Sequence, residues 1–176
     1  MQRYILTAFG KDRPGIVADV TRVLYGNGCN LEENSMTLLA DEFTLILLFS
    51  AQGENISEDL SREFRHLERE KGIWAYIRPI NAAQGRSAPG SSPCTIFVEG
   101  EDQSGIVYKI SQFLADNSVN IVDLKSTVNI SPGSGTAIYQ MAIHAELPGG
   151  IEMPQLESGL SDVADELHVD IQLVPE

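Results

Sequence analysis

The sequence predicts an α+β protein built from two ferredoxin-like units, each a four-stranded antiparallel sheet with two helices on one face. The first observation is that the chain repeats itself: "GKDRPGIV" at 10–17 lies on "GEDQSGIV" at 100–107, and eight residues between positions 10 and 30 are identical at this shift. The second is that strand-like and helix-like segments follow one another as β-α-β-β-α-β in both halves, the split βαβ arrangement. Right-handed crossovers place both helices of such a unit on one face.

The first half contains six segments, each with the hydrophobic periodicity of one element. They are, in order, a strand at 3–9, a helix from Asp12 or Arg13 to the glycines of 26–28, strands at 30–40 and 43–52 around an Asp41–Glu42 turn, a helix from Ser57 to Gly72, and a strand at 73–80. Pro14 suits the first turn of a helix, because its φ is preset and the N–H that it lacks would have no helical partner there.

The second half repeats this order with its own turn residues. Its segments are a strand at 94–100, a helix with Ile106, Val107, Ile110, Phe113 and Leu114 inward, strands at 120–130 and 136–147 joined by "SPGSG", a helix from Met153 to Leu167, and a strand at 169–174. Between the halves, "NAAQGRSAPGSSP" has the composition of a flexible linker. We therefore expect one domain at 1–80, a linker at 81–93 and a second domain at 94–176.

One strand is more apolar than a one-sided sheet requires. "FTLILLF", residues 43–49, is apolar at nearly every position, whereas a strand with one solvated face alternates. We expect the second face of this sheet, or one of its edges, to pack on the sister domain or on another subunit.

The net charge of −13 is unevenly distributed. Residues 93–176 carry only two lysines, Lys109 and Lys125, against thirteen acidic residues. A surface this acidic repels phosphate backbones, and direct binding of nucleic acid is therefore not expected. The acidic half is interpreted either as a surface for a basic partner protein or as an ordinary soluble face.

Cysteine, histidine and hydropathy patterns argue for a cytoplasmic protein without a metal or cofactor. Cys29 and Cys94 have no paired-ligand spacing and are expected to be buried thiols, and the three histidines are scattered. No apolar run reaches the roughly 18 residues of a membrane span, and the N-terminus lacks a cleavage site.

The repeated corner between the first strand and helix suits a small zwitterion. The first turn of a helix offers unpaired N–H groups and a partial positive charge to a carboxylate, and Gly15 and Gly105 let a ligand approach the backbone. Asp12 and Asp102 could cap their own helices or accept a hydrogen bond from an ammonium group. Asn30 and Asn120 open the next strand, at the far end of the helix, and could face the corner of a neighbouring domain across an interface. The alternative is turn chemistry alone, since Asp before Pro-Gly and Asn after a helix are both common.

The segments "DRPGIVADVTRVLYGNGCNL" and "DQSGIVYKISQFLADNSVNI" closely resemble the ACT domain, a small-molecule-sensing module of amino-acid metabolism. The resemblance covers nearly the whole chain except the linker. In ACT domains that sense serine, the polar residue before the x-Pro-Gly turn and the Asn that opens the second strand contact the effector. The candidate binding residues are therefore Asp12, Arg13, Pro14, Gly15, Ile16, Asn30, Leu31, Asp102, Ser104, Gly105, Ile106, Asn120 and Ile121.

The chain departs from that pattern at two places. Serine sensors also use a His two positions before the polar residue, where this chain has Gly10 and Gly100. The second copy has Gln103–Ser104 in place of Arg-Pro, which predicts a less rigid corner.

Two such domains without an attached enzyme resemble the group of glycine cleavage system transcriptional repressors. This implies a non-catalytic homodimer that senses glycine or serine and controls a partner protein. The alternatives are a constitutive interaction module without a ligand and a stand-alone relative of the regulatory part of formyltetrahydrofolate deformylase. No catalytic Ser/His/Asp or Cys/His set supports an enzyme, and the middle strands lack the basic and aromatic pairing of an RNA binder.

Overall fold

A computed structural model describes residues 1–53, 56–80 and 90–175. The chain divides into two compact units, Met1–Gln84 and Gly85–Glu176. Most of the expected linker, residues 81–89, lies outside the described residues. Its last two residues, Ser92 and Pro93, already belong to a strand of the second unit.

The first unit contains four strands and two helices among its described residues. These are β1 (Gln2–Lys11), α1 (Ile16–Gly26), β2 (Asn30–Leu39), β3 (Glu42–Ala51), α2 (Ile56–Lys71) and β4 (Ile73–Ile80). The second unit repeats them as β5 (Ser92–Glu101), α3 (Ile106–Asp116), β6 (Asn120–Ile130), β7 (Ala137–Leu147), α4 (Met153–Leu167) and β8 (Val169–Pro175).

Both sheets have the predicted split βαβ topology. Their strand orders are β2-β3-β1-β4 and β6-β7-β5-β8, with every neighbouring pair antiparallel. Side chains alternate across each strand, so Tyr4, Leu6 and Ala8 of β1 enter the core that α1 and α2 cover. The α+β fold with two ferredoxin-like units is thereby confirmed.

The first helix starts later than the sequence suggested. α1 begins at Ile16 rather than at Asp12 or Arg13, so Pro14 precedes the helix instead of standing in its first turn. The reason is Gly15, whose φ of 88° is left-handed and interrupts the helical path. The β2–β3 turn also lies one residue earlier than expected, at Ala40–Asp41, because Glu42 already pairs in β3.

The apolar strand at 43–49 divides its side chains between the two faces of the sheet. Phe43, Leu45, Leu47 and Phe49 are fully buried under the helices, whereas Ile46 on the opposite face is about half exposed. That this face packs on another domain or subunit stays a prediction. Among the described residues, no helix is long and apolar enough to cross a membrane.

Candidate functional site

The corner between β1 and α1 is held by the backbone. The N–H of Asp12 donates to the carbonyl oxygen of Asp41 at 2.8 Å, which ties the corner to the β2–β3 turn. Gly15 is the N-cap of α1, and no side chain makes a capping hydrogen bond there. The N–H groups of the first helical turn are therefore left without a side-chain partner.

The second unit repeats this geometry. The N–H of Asp102 donates to the carbonyl oxygen of Ala137 at 2.9 Å, and Gly105, with φ of 99°, is the uncapped N-cap of α3. The two corners thus have the same backbone conformation, although Ser104 stands where the first unit has Pro14. The rigidity that proline adds is not needed to reach this conformation.

Both N-cap glycines face open space. A Cβ placed on Gly15 would have only the Arg13 Nη1 atom, at 4.0 Å, among its neighbours, and one on Gly105 would have none within 4 Å. Packing therefore does not require glycine here, but the left-handed φ does. The consequence is a helix start that a small molecule can approach.

The structure does not bring Asp12 and Asn30 of the same unit together. Asn30 pairs with Ser50, which pairs with Arg3 near the start of β1, whereas the corner follows Lys11 at the other end of that strand. Eight residues of strand separate these ends, about 26 Å at 3.3 Å per residue. Asn120 and Asp102 lie at opposite ends of the second sheet in the same way.

Four of the other candidate residues anchor the backbone through their side chains. Ile16 and Ile106 are each only 2% exposed, and Leu31 and Ile121 pack against the two cores. Ile16 and Ile106 can therefore contact a ligand only through their backbone groups, whereas Leu31 and Ile121 are partly exposed.

Asp19 is a residue that the sequence reasoning missed. Its carboxylate, 6% exposed, accepts hydrogen bonds from Lys71 Nζ at 2.6 Å and Arg13 Nη2 at 2.7 Å. The hydrogen bond from Lys71, and then that from Arg13, lowers the pKa of Asp19. Since Arg13 Nη1 also donates to the carbonyl of Pro14 at 3.3 Å, Asp19 fixes the guanidinium beside Gly15.

We call the contacts of Asp19 with Lys71 and Arg13 the clamp. The second unit has an ion pair of reversed charge in its place. At the shift of 90, Lys109 stands in place of Asp19, and its ammonium binds the carboxylate of Glu166 near the end of α4. Gln103, in place of Arg13, donates to the carbonyl of Leu167. A visible signal for the first clamp was the acid at Asp19, which falls within the apolar stripe of its helix.

Close packing explains why positions 10 and 100 are both glycine. A Cβ on Gly10 would stand 2.5 Å from the carbonyl oxygen of Gly72, and one on Gly100 would stand 2.6 Å from Val169 Cγ1. A side chain is excluded at both positions unless the neighbouring strand moves. The histidine that serine sensors use there has no room in either unit.

Comparisons with known proteins place this chain among related sequences. Residues 2–75 match the family model of the ACT domain. The glycine cleavage system transcriptional repressor of Escherichia coli (strain K12) is 25% identical over 164 residues, which cover 93% of this chain and 85% of that protein. A UPF0237 protein of Methanosarcina acetivorans is 39% identical over 70 residues, covering 40% of this chain and 73% of its own length.

The fold of the whole chain also has a relative among solved structures. The crystal structure of an unknown protein from Galdieria sulphuraria aligns with a TM-score of 0.80 and 26% identity, covering 99% of this chain and 98% of that one. The resemblance therefore extends over both units, beyond the 74 residues, 2–75, that the family model matches.

Proposed function

Because the chain belongs to the ACT-domain family, we propose that it is a non-catalytic regulator that senses a small amino acid, glycine or serine, and acts on a partner protein. The observation that carries the proposal is the uncapped, left-handed helix start at Gly15 and again at Gly105. Each open helix start is tied to the neighbouring β-hairpin by the N–H of its aspartate, and an open helix start favours the binding of a carboxylate.

The corner supplies complementary groups for a zwitterion. The first-turn N–H groups of α1 receive the carboxylate, and the Arg13 guanidinium, held beside Gly15 by Asp19, adds positive charge. The exposed carboxylate of Asp12 accepts the ammonium group. Between glycine and serine, glycine is the favoured ligand of this chain, because the name of the E. coli relative refers to glycine cleavage.

An asparagine completes the proposed site from a second ACT domain. Since about 26 Å of strand separates Asp12 from Asn30 within one unit, a corner pairs with the Asn30 or Asn120 of another domain. Ligand binding then favours one packing of ACT domains over another, a population shift that needs a coupling of roughly 1–3 kcal/mol.

The partner in this proposal is a cytoplasmic regulatory protein with a basic surface. Residues 93–176 carry almost all of the net negative charge, which attracts a basic protein and repels DNA. Control of transcription, the role named in the E. coli relative, would in this chain pass through that partner.

We expect glycine or serine to raise the melting temperature, and we expect Asp12→Ala with Asn30→Ala to abolish the rise. A ligand at a hundredfold excess over its Kd stabilises the protein by about 2.7 kcal/mol, which is several degrees in Tm. A thermal-shift screen of the twenty amino acids measures this. The matched variant, Asp102→Ala with Asn120→Ala, tests the second copy.

Two outcomes would contradict the site. If both double variants, separately and combined, still show the full rise in Tm, the ligand binds elsewhere. If none of the twenty amino acids raises the Tm, the second candidate, a constitutive interaction module, is the better account. The absence of a histidine at Gly10 and Gly100 is the observation that favours it.

A further inference from the structure

A groove between the two helices of the first unit collects a large share of the positive charge of the chain. The helices run antiparallel, because Asp19 near the start of α1 binds Lys71 at the end of α2, and Asn27 just after α1 binds Glu63 of α2. The cleft between them, which we call the basic groove, has a volume of about 510 Å³. Four of the twelve Lys and Arg residues of this chain of net charge −13 line it: Arg22, Arg62, Arg69 and Lys71.

Three of these four cations are only loosely paired. Arg69 has no carboxylate within 4.0 Å among the described residues, and its Nε donates to a backbone carbonyl of α2 at 3.3 Å. Arg22 approaches Asp19 Oδ1 at 3.9 Å, with its side chain 75% exposed. Arg62 approaches Asp59 Oδ1 at 3.4 Å, with its side chain 72% exposed. Because exposed ion pairs contribute little free energy, these three guanidinium groups are available to a bound anion.

The carboxylates that line the same groove are fewer and have partners of their own. Asp19 belongs to the clamp, and Glu63 accepts a hydrogen bond from Asn27 Nδ2 at 3.0 Å. Glu70 lies 3.2 Å from His66 Nε2, which adds a charge when it is protonated. Four cations against three carboxylates leave the groove with a formal charge of +1 while His66 is neutral. The groove is therefore positive in a strongly acidic protein.

The fold does not require these cations. In the second unit, α4 contains no Lys or Arg, and α3 contains only Lys109, which is bound by a carboxylate of α4. The helix dipole accounts for the two cations in the last turn of α2, but it does not account for Arg22 on α1 or Arg62 in the first half of α2. A function of the first unit explains all four.

We propose that the basic groove binds a small phosphate-bearing metabolite that carries at least two negative charges. A planar guanidinium matches two phosphate oxygens, and three such groups from two helices line the cleft. Val23 and Leu67, which also line it, offer an apolar contact to the carbon skeleton of the ligand. The volume is in the range of small-molecule sites, about 300–1,000 Å³.

A nucleic acid fits this groove less well than a small ligand does. Its phosphate backbone would extend beyond the four cations and meet the rest of the chain, which is strongly acidic. The groove also differs from the proposed amino-acid site, because Arg22, Arg62 and Arg69 take no part in binding at the β1–α1 corner. Either site can therefore fail in an experiment without the other.

Isothermal titration calorimetry with inorganic pyrophosphate at constant ionic strength tests the proposal. We expect saturable binding at a single site per chain. Arg22→Ala, Arg62→Ala and Arg69→Ala should each raise the Kd about tenfold, because each removes a charge-assisted donor. The matched control is Arg65→Ala, which removes the same charge from an exposed position of α2 outside the groove and should change the Kd by less than about twofold.

Four results would overturn the proposal. These are no binding of pyrophosphate at millimolar concentration, binding that none of the three variants weakens, an equal loss in Arg65→Ala, and a loss confined to Arg69→Ala. The third would indicate general charge attraction, and the fourth would place the anion at the clamp rather than along the groove. A glutamate-rich peptide that binds where pyrophosphate does not would assign the groove to an acidic protein instead. If an alanine variant does not fold, as judged by circular dichroism, the glutamine variant at that position replaces it with the same expectation.

Discussion

Replacing Gly10 by alanine is expected to lower the free energy of unfolding of the first unit by about 2–3 kcal/mol. The new Cβ would stand 2.5 Å from the carbonyl oxygen of Gly72 and 3.3 Å from the buried ring of Phe43, both closer than van der Waals contact. Neither neighbour yields readily, because Gly72 forms the turn between α2 and β4 and Phe43 is fully buried. Urea unfolding followed by circular dichroism measures the change.

The control for Gly10→Ala is Gly26→Ala at the end of α1. A Cβ there meets no atom within 4 Å, and alanine has the higher helix propensity, so a change between zero and about 1 kcal/mol of stabilisation is expected. Equal stability of Gly10→Ala and the wild type would show that β1 and β4 can separate at this point. In that case the packing reason for the missing histidine would fail as well.

The fold was predictable because its signals are local or repeated. Strand periodicity placed two of the four edge strands, β4 and β6, at their observed bounds, 73–80 and 120–130. The internal repeat provided two independent observations of each element. The start of α1 was not predictable from periodicity, because an apolar stripe does not reveal that Gly15 is left-handed. A glycine after proline is compatible with either path.

The candidate site was predictable only as separate pieces. Asp12 and Asn30 flank one helix in sequence, but the helix carries the chain back along the sheet, so the two residues lie at opposite ends of the strands. The crossover of a split βαβ unit requires this separation, because β1 and β2 run in the same direction. The sequence therefore placed Asn30 against the corner of another domain, but it did not show which domain that is. Long-range contacts were missed because the residues that make them are far apart in sequence. Lys71, which binds Asp19, is 52 residues from it, and Phe9 meets Trp74 only because β4 pairs with β1.

Replacing Asp19 by asparagine is expected to lower the stability of the first unit by about 2 kcal/mol at pH 7, the range for charge-assisted hydrogen bonds at a buried carboxylate. The variant loses the charge that Lys71 Nζ and Arg13 Nη2 approach at 2.6 and 2.7 Å. Both cations are partly exposed and regain water, which keeps the cost below that of a fully buried broken pair. The control is Asp59→Asn, whose exposed pair with Arg62 should contribute less than about 0.5 kcal/mol.

The effect of Asp19→Asn should also depend on pH in a defined direction. Lys71 and Arg13 hold the pKa of Asp19 below its usual value of 3.8, so the unfolded state binds this proton more readily than the folded state. The stabilisation is complete above the unfolded pKa and is lost as pH falls through the folded one. The stability difference between wild type and variant should therefore be constant from pH 7 to about 5 and should narrow below about pH 4. Urea titrations across this range measure it, and a difference that stays constant or widens in acid would contradict the clamp.

Because the same carboxylate holds Arg13 beside Gly15, we expect the variant to lose part of the amino-acid-induced rise in Tm even at pH 7, where Asp59→Asn should retain all of it.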